Sequence, residues 1–218
     1  MLNATRLQCS RILTPSSLAT QVQGLIAVAP VFADVFAVTG LPELRLRDND
    51  FTQLYRTIVS QQLSVAAASS IWKRLSAASL VTPKAIKAAS DSQLRLCGLS
   101  SQKIRYVRSL VSHRIDFAEL ASLDDEAVIA QLTAVTGIGR WTAEIYLLFS
   151  LNRPDVMAAN DLALQVAAQH CLSLKTRPKE SQLREIAEDW QPHRSAACYL
   201  LWSYYHEIKS RQALRVVT

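Results

Sequence analysis

Apolar residues recur every three to four positions along most of the chain, which is the spacing of one face of an α-helix. Phe51, Leu54, Tyr55 and Ile58 show this spacing clearly. Alternation of apolar and polar residues, which is typical of a half-buried strand, is hard to find. The sequence therefore predicts an all-α protein. Among others, helices are expected over Val65–Leu75, Trp141–Leu151, Asp161–Cys171, Gln182–Trp190 and Pro192–Ile208.

Helix start and stop signals agree with this pattern. Ser64, Thr82 and Asp124 each stand directly before an expected helix, where a side-chain oxygen can accept a hydrogen bond from the first turn. Ser90 is expected to cap a short helix that stops at Gly98, because glycine suits a left-handed C-terminal position.

A basic helix is expected to follow, starting at Ser100 or Ser101. Its apolar residues should face the core, whereas Lys103, Arg105 and Arg108 are predicted to point outward. The whole chain of 218 residues carries a net charge of +6, which is compatible with a polyanionic partner. Composition alone does not show whether this charge is gathered on one face.

The four cysteines, Cys9, Cys97, Cys171 and Cys198, are widely separated. The chain has no Cys-x-x-Cys pair, which excludes a zinc site built from neighbouring residues, and nothing suggests a disulfide framework. We therefore expect reduced thiols and an intracellular protein. No run of about 18 apolar residues is present, so no membrane span is expected.

The most informative segment is the turn Gly137-Ile138-Gly139, between two expected helices. Two of the five glycines of the chain fall here, and glycine permits a positive φ or a close backbone approach. Ile138 is expected to plug into the core. Backbone N–H groups at the start of the next helix form an anion site, to which Arg140 and the Thr142 hydroxyl are expected to add phosphate contacts. A plain helical hairpin is the alternative.

The longer pattern around this turn resembles the helix-hairpin-helix motif. The similarity continues from about Phe51 to Tyr205 and indicates the helix-hairpin-helix DNA glycosylase superfamily. The chain is most similar to the alkylation-repair branch, the 3-methyladenine DNA glycosylase II type. The stretches that carry the resemblance are Phe51–Leu75, Leu99–Val107, the hairpin at 132–143, Met157–Gln165 and Trp190–Ser195.

The resemblance implies two helical lobes that flank a DNA-binding cleft. One lobe is expected over residues 48–150 and includes the hairpin at 132–143, and the other combines residues 1–47 with 151–218. The implied activity is hydrolysis of the N-glycosidic bond of alkylated purines, such as 3-methyladenine and 7-methylguanine, in duplex DNA. No cofactor and no protein partner are implied, and a monomer is expected.

Superfamily members carry a catalytic carboxylate about twenty residues after the aromatic position of the hairpin. Asp161 stands twenty residues after Trp141, so the resemblance assigns catalysis to Asp161. An ionised carboxylate beside C1′ stabilises the positive charge that develops on the sugar, and it can orient or deprotonate the attacking water. The alternative role for Asp161 is helix capping, which aspartate often performs.

Differences from other superfamily members indicate which of their activities and cofactors this chain is expected to lack. Members that also cleave the DNA backbone have a lysine directly after the Gly-x-Gly-Arg turn, where it forms a Schiff base. This chain has Trp141 there, so a monofunctional enzyme is expected. Only Cys171 and Cys198 lie in the half where some relatives bind an iron–sulfur cluster, so none is expected. No catalytic metal is implied either. A monovalent cation is left open at three hairpin carbonyls, those of Thr133, Val135 and Ile138.

Trp141 and Trp202 correspond to aromatic pocket positions of the family. A flipped base stacks between aromatic faces, and an indole attracts a purine that alkylation has made cationic. For Trp202, a core role is equally compatible with the sequence. Ile145 and Leu162 stand where the larger bacterial pattern has aromatic residues, which leaves the lesion spectrum open.

Extruding a base costs a few kcal/mol of stacking, and enzymes of this kind fill the gap with a wedge. By resemblance the wedge loop runs from Leu99 to Gln102 with Ser101 at its tip. Because Ser101 is small, Leu99 and Gln102 are candidates as well. Gln61 and Gln62 are expected at the opposite groove edge, and a solvated helix end is their alternative.

Two other functions are compatible with the sequence. The same scaffold can serve a glycosylase for uracil, hypoxanthine or a mismatched base. Helix-hairpin-helix elements also hold DNA in proteins that are not glycosylases, and there nothing would require Asp161.

Overall fold

The computed structural model describes residues 12–217 and the side chains of residues 12–213. Residues 1–11, which include Cys9, lie outside the described part. Regular secondary structure in the described part is entirely helical, so the all-α prediction is confirmed. The helices are α1 (Pro15–Val28), α2 (Phe32–Thr39), α3 (Phe51–Ser60), α4 (Val65–Ala77), α5 (Pro83–Ala88), α6 (Asp91–Leu96), α7 (Ser101–His113), α8 (Phe117–Ser122), α9 (Asp125–Thr133), α10 (Arg140–Phe149), α11 (Leu162–Cys171), α12 (Glu180–Ile186) and α13 (Arg194–Val217), with a 3₁₀ helix at Ala187–Trp190.

The chain divides into two compact units. Residues 47–146 form the first, called here the middle unit, which contains α3 to α9 and most of α10. The described residues up to Leu46 and from Leu147 onward form the second, called the terminal unit, which contains α1, α2, α11, α12 and α13. Among residues 12–217, no helix is both long and apolar enough to cross a membrane. A DNA-binding cleft stays a prediction.

Side-chain caps start several helices of the middle unit. Ser64, Thr82, Ser90 and Asp124 each accept a hydrogen bond from the backbone N–H three residues later. Each bond satisfies one of the donors that a helix leaves unpaired at its N-terminus. The four predicted caps are therefore confirmed. Gly98 has a φ of +98° after α6, also as predicted.

The basic residues of α7 do not all point outward. Lys103 is half-buried and its Nζ donates to the carbonyl of Val59 in the last turn of α3; burial lowers the pKa of Lys103. Arg108 is also half-buried and donates to two carbonyls at the end of α5 and, over 3.0 Å, to Asp91. Only Arg105 is exposed as predicted. The prediction was wrong for the other two because carbonyls at helix C-termini lack intrahelical partners and attract cations.

Helix α13 is the main packing element of the terminal unit. It lies against α1, α2 and α11, and every residue from Ala196 to Trp202 is buried. It continues to Val217, well beyond the end predicted at Ile208. Because this long helix is fixed by its neighbours, it gives Trp202 a rigid support.

Candidate functional site

The turn between α9 and α10 has the geometry that its glycines predict. Gly137 has a φ of +92°, and a Cβ there would lie 2.3 Å from the ring of Tyr106, so only glycine fits without strain. Ile138 is 4% exposed and plugs into the core. A Cβ on Gly139 would meet no atom within 4 Å. Gly139 therefore faces open space that a ligand can approach closely.

Two hydrogen bonds and a ring contact hold this hairpin within the middle unit. The Gln61 Nε2 donates to the carbonyl oxygen of Gly137 over 2.8 Å. The backbone N–H of Thr136 donates to the Ser109 Oγ over 2.9 Å, and Tyr106 covers Gly137. No local pattern identifies Ser109 or Tyr106, because their contribution depends on α7 lying beside the turn.

Helix α10 begins at Arg140, directly after the turn. The N–H groups in the first turn of a helix have no intrahelical acceptor, and together with the helix dipole they attract an anion. The open space at Gly139 lies at the same helix end. This arrangement can hold a phosphate through the backbone alone.

Of the two side chains predicted to contact phosphate, Arg140 forms ion pairs and Thr142 is nearly fully buried. Arg140 binds the Glu126 carboxylate through both terminal nitrogens, at 2.5 and 3.1 Å, and Glu144 through Nε at 3.0 Å. The hydrogen bond to Glu126 is the main cause that raises the pKa of Arg140. Thr142 is only 7% exposed. Both phosphate contacts stay predictions. The sequence alone did not show that Glu126 and Glu144 face Arg140.

Asp161 is the N-cap residue of α11, in the terminal unit. Its Oδ1 accepts hydrogen bonds from the backbone N–H groups of Ala163 and Leu164, over 2.9 and 3.2 Å. The indole Nε1 of Trp202 donates to the same oxygen over 3.3 Å. The capping role is therefore observed, and the same bonds fix the orientation of a half-buried carboxylate. Whether Asp161 is also catalytic stays a prediction.

The segment that leads into Asp161 is held by the start of α13. Ser195 is fully buried, and its Oγ donates to the carbonyl of Arg153 over 2.6 Å. Arg194 forms an ion pair with Asp155 through two hydrogen bonds, of 2.8 and 3.0 Å. These contacts give the chain a fixed path to the N-terminus of α11. The sequence pattern assigned no such role to Arg194 or Ser195.

The two tryptophans predicted for the base pocket differ in exposure. Trp141, in the first turn of α10, is 39% exposed, whereas Trp202 is 6% exposed. Trp202 packs against Phe149 and Tyr199, with ring centroids 5.3 and 5.9 Å away. The Arg45 guanidinium lies over the Trp202 ring, 5.6 Å from its centroid. The core role of Trp202 therefore coexists with its contact to the carboxylate. Arg45 was not predicted, because nothing in its local sequence relates it to α13.

The predicted wedge loop offers one buried and two exposed candidates. Leu99 is 3% exposed, so it would have to leave the core to enter a DNA groove, and its role as a wedge stays a prediction. Ser101 and Gln102 are exposed. The Gln102 Nε2 donates to the Tyr106 hydroxyl over 2.5 Å, which places this amide beside the ring that covers Gly137.

The loop between α3 and α4 carries the other two candidates. Gln61 is bound to the hairpin carbonyl and so supports the turn. Gln62 is exposed with a φ of +57°. Its neighbours Leu63 and Val65 are 40% and 89% exposed. Gln62 therefore stays a candidate for contact with DNA, whereas Gln61 is better described as a support of the hairpin.

The predicted site residues thus fall into two groups. The hairpin, Gln61 and Gln102 are joined by contacts within the middle unit. Asp161 and Trp202 are joined by a hydrogen bond within the terminal unit. One group offers backbone donors for a phosphate, and the other offers an oriented carboxylate beside an aromatic ring.

Comparison with known proteins shows the family to which the chain belongs. Residues 55–193 match the family model described as HhH-GPD superfamily base excision DNA repair protein, and the chain belongs to this superfamily. The resemblance predicted from the sequence is confirmed. The chain is 35% identical over 161 residues to DNA-3-methyladenine glycosylase 1 of Schizosaccharomyces pombe, covering 70% of this chain and 71% of the relative.

Solved structures show the same similarity. A crystal structure of DNA-3-methyladenine glycosidase from Bacillus halodurans aligns with a TM-score of 0.80 at 33% identity, covering 87% of this chain and 91% of that one. A structure of the Schizosaccharomyces pombe 3-methyladenine DNA glycosylase in complex with abasic DNA aligns with a TM-score of 0.70 at 29% identity, covering 84% and 95%.

Proposed function

We propose that this chain is a DNA glycosylase that hydrolyses the N-glycosidic bond of alkylated purines in duplex DNA. The observation that carries the proposal is the Asp161 carboxylate, which two backbone N–H groups and the Trp202 indole hold at the start of α11. Membership of a superfamily of base excision DNA repair proteins supports it. So do relatives named DNA-3-methyladenine glycosylase.

In the proposed reaction, Asp161 acts on the sugar. As the bond between C1′ and the purine nitrogen breaks, its electron pair leaves with the base and positive charge develops on the sugar. The carboxylate stabilises that charge. It also orients a water molecule, whose oxygen bonds to C1′ and whose proton passes to the carboxylate. The products are a free base and an abasic site.

The proposal of alkylated purines as the substrate follows from the charge of the damaged base. Alkylation at N3 or N7 makes the purine cationic, so the departing base is neutral and leaves easily. A cationic base is also attracted to the face of an indole, such as that of Trp141 or Trp202. An undamaged purine has neither advantage. These two effects together favour alkylated purines over normal ones.

The hairpin is proposed to hold a DNA phosphate at the first turn of α10, next to Gly139. A monovalent cation on the carbonyl oxygens of Thr133, Val135 and Ile138 stays a prediction, and oxygen ligands suit a hard cation. The carbonyl of Val135 already accepts the Ile138 N–H over 3.0 Å, which leaves it one lone pair for such a role.

Cleavage of the DNA backbone is not expected. A Schiff base requires an amine, and Trp141 occupies the position where members with lyase activity have lysine. The strand should therefore stay intact at the abasic site until alkali is added, and borohydride should trap no covalent protein–DNA adduct.

The direct test is incubation with DNA that has been treated with a methylating agent, followed by identification of the released bases. We expect free 3-methyladenine and 7-methylguanine. Release of uracil or hypoxanthine from lesion duplexes, with no methylated base released, would favour a different substrate. Duplex binding without release of any base would indicate a non-enzymatic DNA-binding module and refute the proposal.

A further inference from the structure

Arg45 occupies an unusual place for an arginine. Its guanidinium lies over two aromatic rings of the terminal unit, 5.6 Å from the centroid of Trp202 and 5.9 Å from that of Phe149. A planar cation at such distances from a ring is held by attraction to the negative face of the π system. Arg45 itself is exposed to solvent.

This arginine covers the ring that the proposed function assigns to the flipped base. Trp202 also packs against the rings of Phe149 and Tyr199, which are 3% and 2% exposed and belong to the core. Arg45 is the exposed member of the cluster, so it lies between Trp202 and solvent. Trp202 is itself 6% exposed, and its Nε1 donates to the half-buried Asp161.

The backbone that carries Arg45 is free of regular structure. Residues 40–50 form no helix, and Leu41 and Leu46 are 47% and 57% exposed. An irregular, exposed segment changes conformation at lower free energy than a packed helix. Movement of Arg45 therefore does not require any helix to unfold.

We propose that Arg45 is a gate residue, which must leave the face of Trp202 before a base can stack there. The proposal rests on the proposed function, because it takes Trp202 as a wall of the base pocket. The free energy needed to displace the guanidinium is the same for every base. A cationic alkylpurine recovers it through its own attraction to the indole, whereas a neutral base does not. DNA phosphates provide a new partner for the displaced cation.

The test compares a duplex that lacks a base at the lesion position with a duplex that carries one. One contains a tetrahydrofuran abasic site, and the other contains 2′-fluoro-7-methyldeoxyguanosine, whose fluorine slows release of the base. The readout is the ratio of the two dissociation constants, in which any loss of general charge attraction cancels. For Arg45→Ala this ratio should shift about fivefold in favour of the base-bearing duplex, which corresponds to ~1 kcal/mol.

Arg47→Ala is the matched control, because it removes the same charge two residues along the chain. It should leave the ratio at the wild-type value. Arg45→Lys should give an intermediate shift, because an ammonium is more strongly hydrated than a guanidinium and lacks its flat face. An unchanged ratio for Arg45→Ala would overturn the gate.

A second measurement needs no DNA. Acrylamide should quench the fluorescence of Trp202 more strongly in Arg45→Ala than in the wild type, with the contribution of Trp202 isolated by comparison with Trp202→Phe. Equal quenching would show that Arg45 does not cover the ring. If the wild type binds neither duplex, the proposed function fails, whereas normal binding with an unchanged ratio refutes the gate alone.

Discussion

Asp161→Asn is expected to abolish release of methylated bases, with a loss of at least about a thousandfold in the single-turnover rate. Asparagine has nearly the same shape but carries no charge, so it cannot stabilise the positive sugar or accept the proton of water. Affinity for lesion-containing duplex should stay the same or rise slightly, because a negative charge near the DNA is removed. Base release under single-turnover conditions and a binding isotherm measure the two effects separately.

The capping role of Asp161 makes this substitution informative. Asparagine is as good an N-cap as aspartate, so its side-chain oxygen can still accept the N–H groups of Ala163 and Leu164. Asp124 provides a matched control, since it caps α9 with a hydrogen bond of 2.8 Å from the Ala127 N–H. Asp124→Asn should release base at the wild-type rate. Release at that rate by Asp161→Asn would contradict the catalytic assignment.

Gly139→Asp is expected to weaken binding to all duplexes, damaged or not, by at least about tenfold. The added carboxylate lies at the end of α10 that is proposed to hold a phosphate, so it repels the DNA and displaces the phosphate from the N–H groups. Folding should be little affected, because the Cβ position of Gly139 is open. The affinity of this variant for duplex DNA should fall less steeply with salt concentration than that of the wild type. Altered lesion preference at unchanged affinity would contradict the phosphate-holding role.

Alanine substitutions at the two glycines separate folding from binding. Gly139→Ala should change the free energy of unfolding by less than about 1 kcal/mol, because the added Cβ would meet no atom within 4 Å. Gly137→Ala should destabilise the protein by at least about 2 kcal/mol, because a φ of +92° is strained for alanine and its Cβ would overlap the Tyr106 ring. Thermal melting of both variants measures the contrast, and equal melting temperatures would show that the hairpin is not fixed as described.

Much of the fold was predictable because the signals are local. Helical spacing and capping oxygens depend on residues within a turn or two, so Ser64, Ser90 and Asp124 could be assigned before any packing was known. The same holds for Gly137, whose positive φ belongs to the turn itself. The family could also be recognised from the order and spacing of short stretches of sequence. These features need no knowledge of what lies opposite each residue.

The amino-acid sequence thus determined the helical class, the hairpin and the superfamily. The tertiary structure alone decided how individual side chains are used, because each use depends on a partner distant in sequence. Arg140 binds Glu126, and Leu99 is buried. Arg45 and Asp161 meet at Trp202 from distant parts of the chain. The burial of a side chain and the identity of its partner depend on how whole helices pack. The spacing of residues along one segment does not predict either.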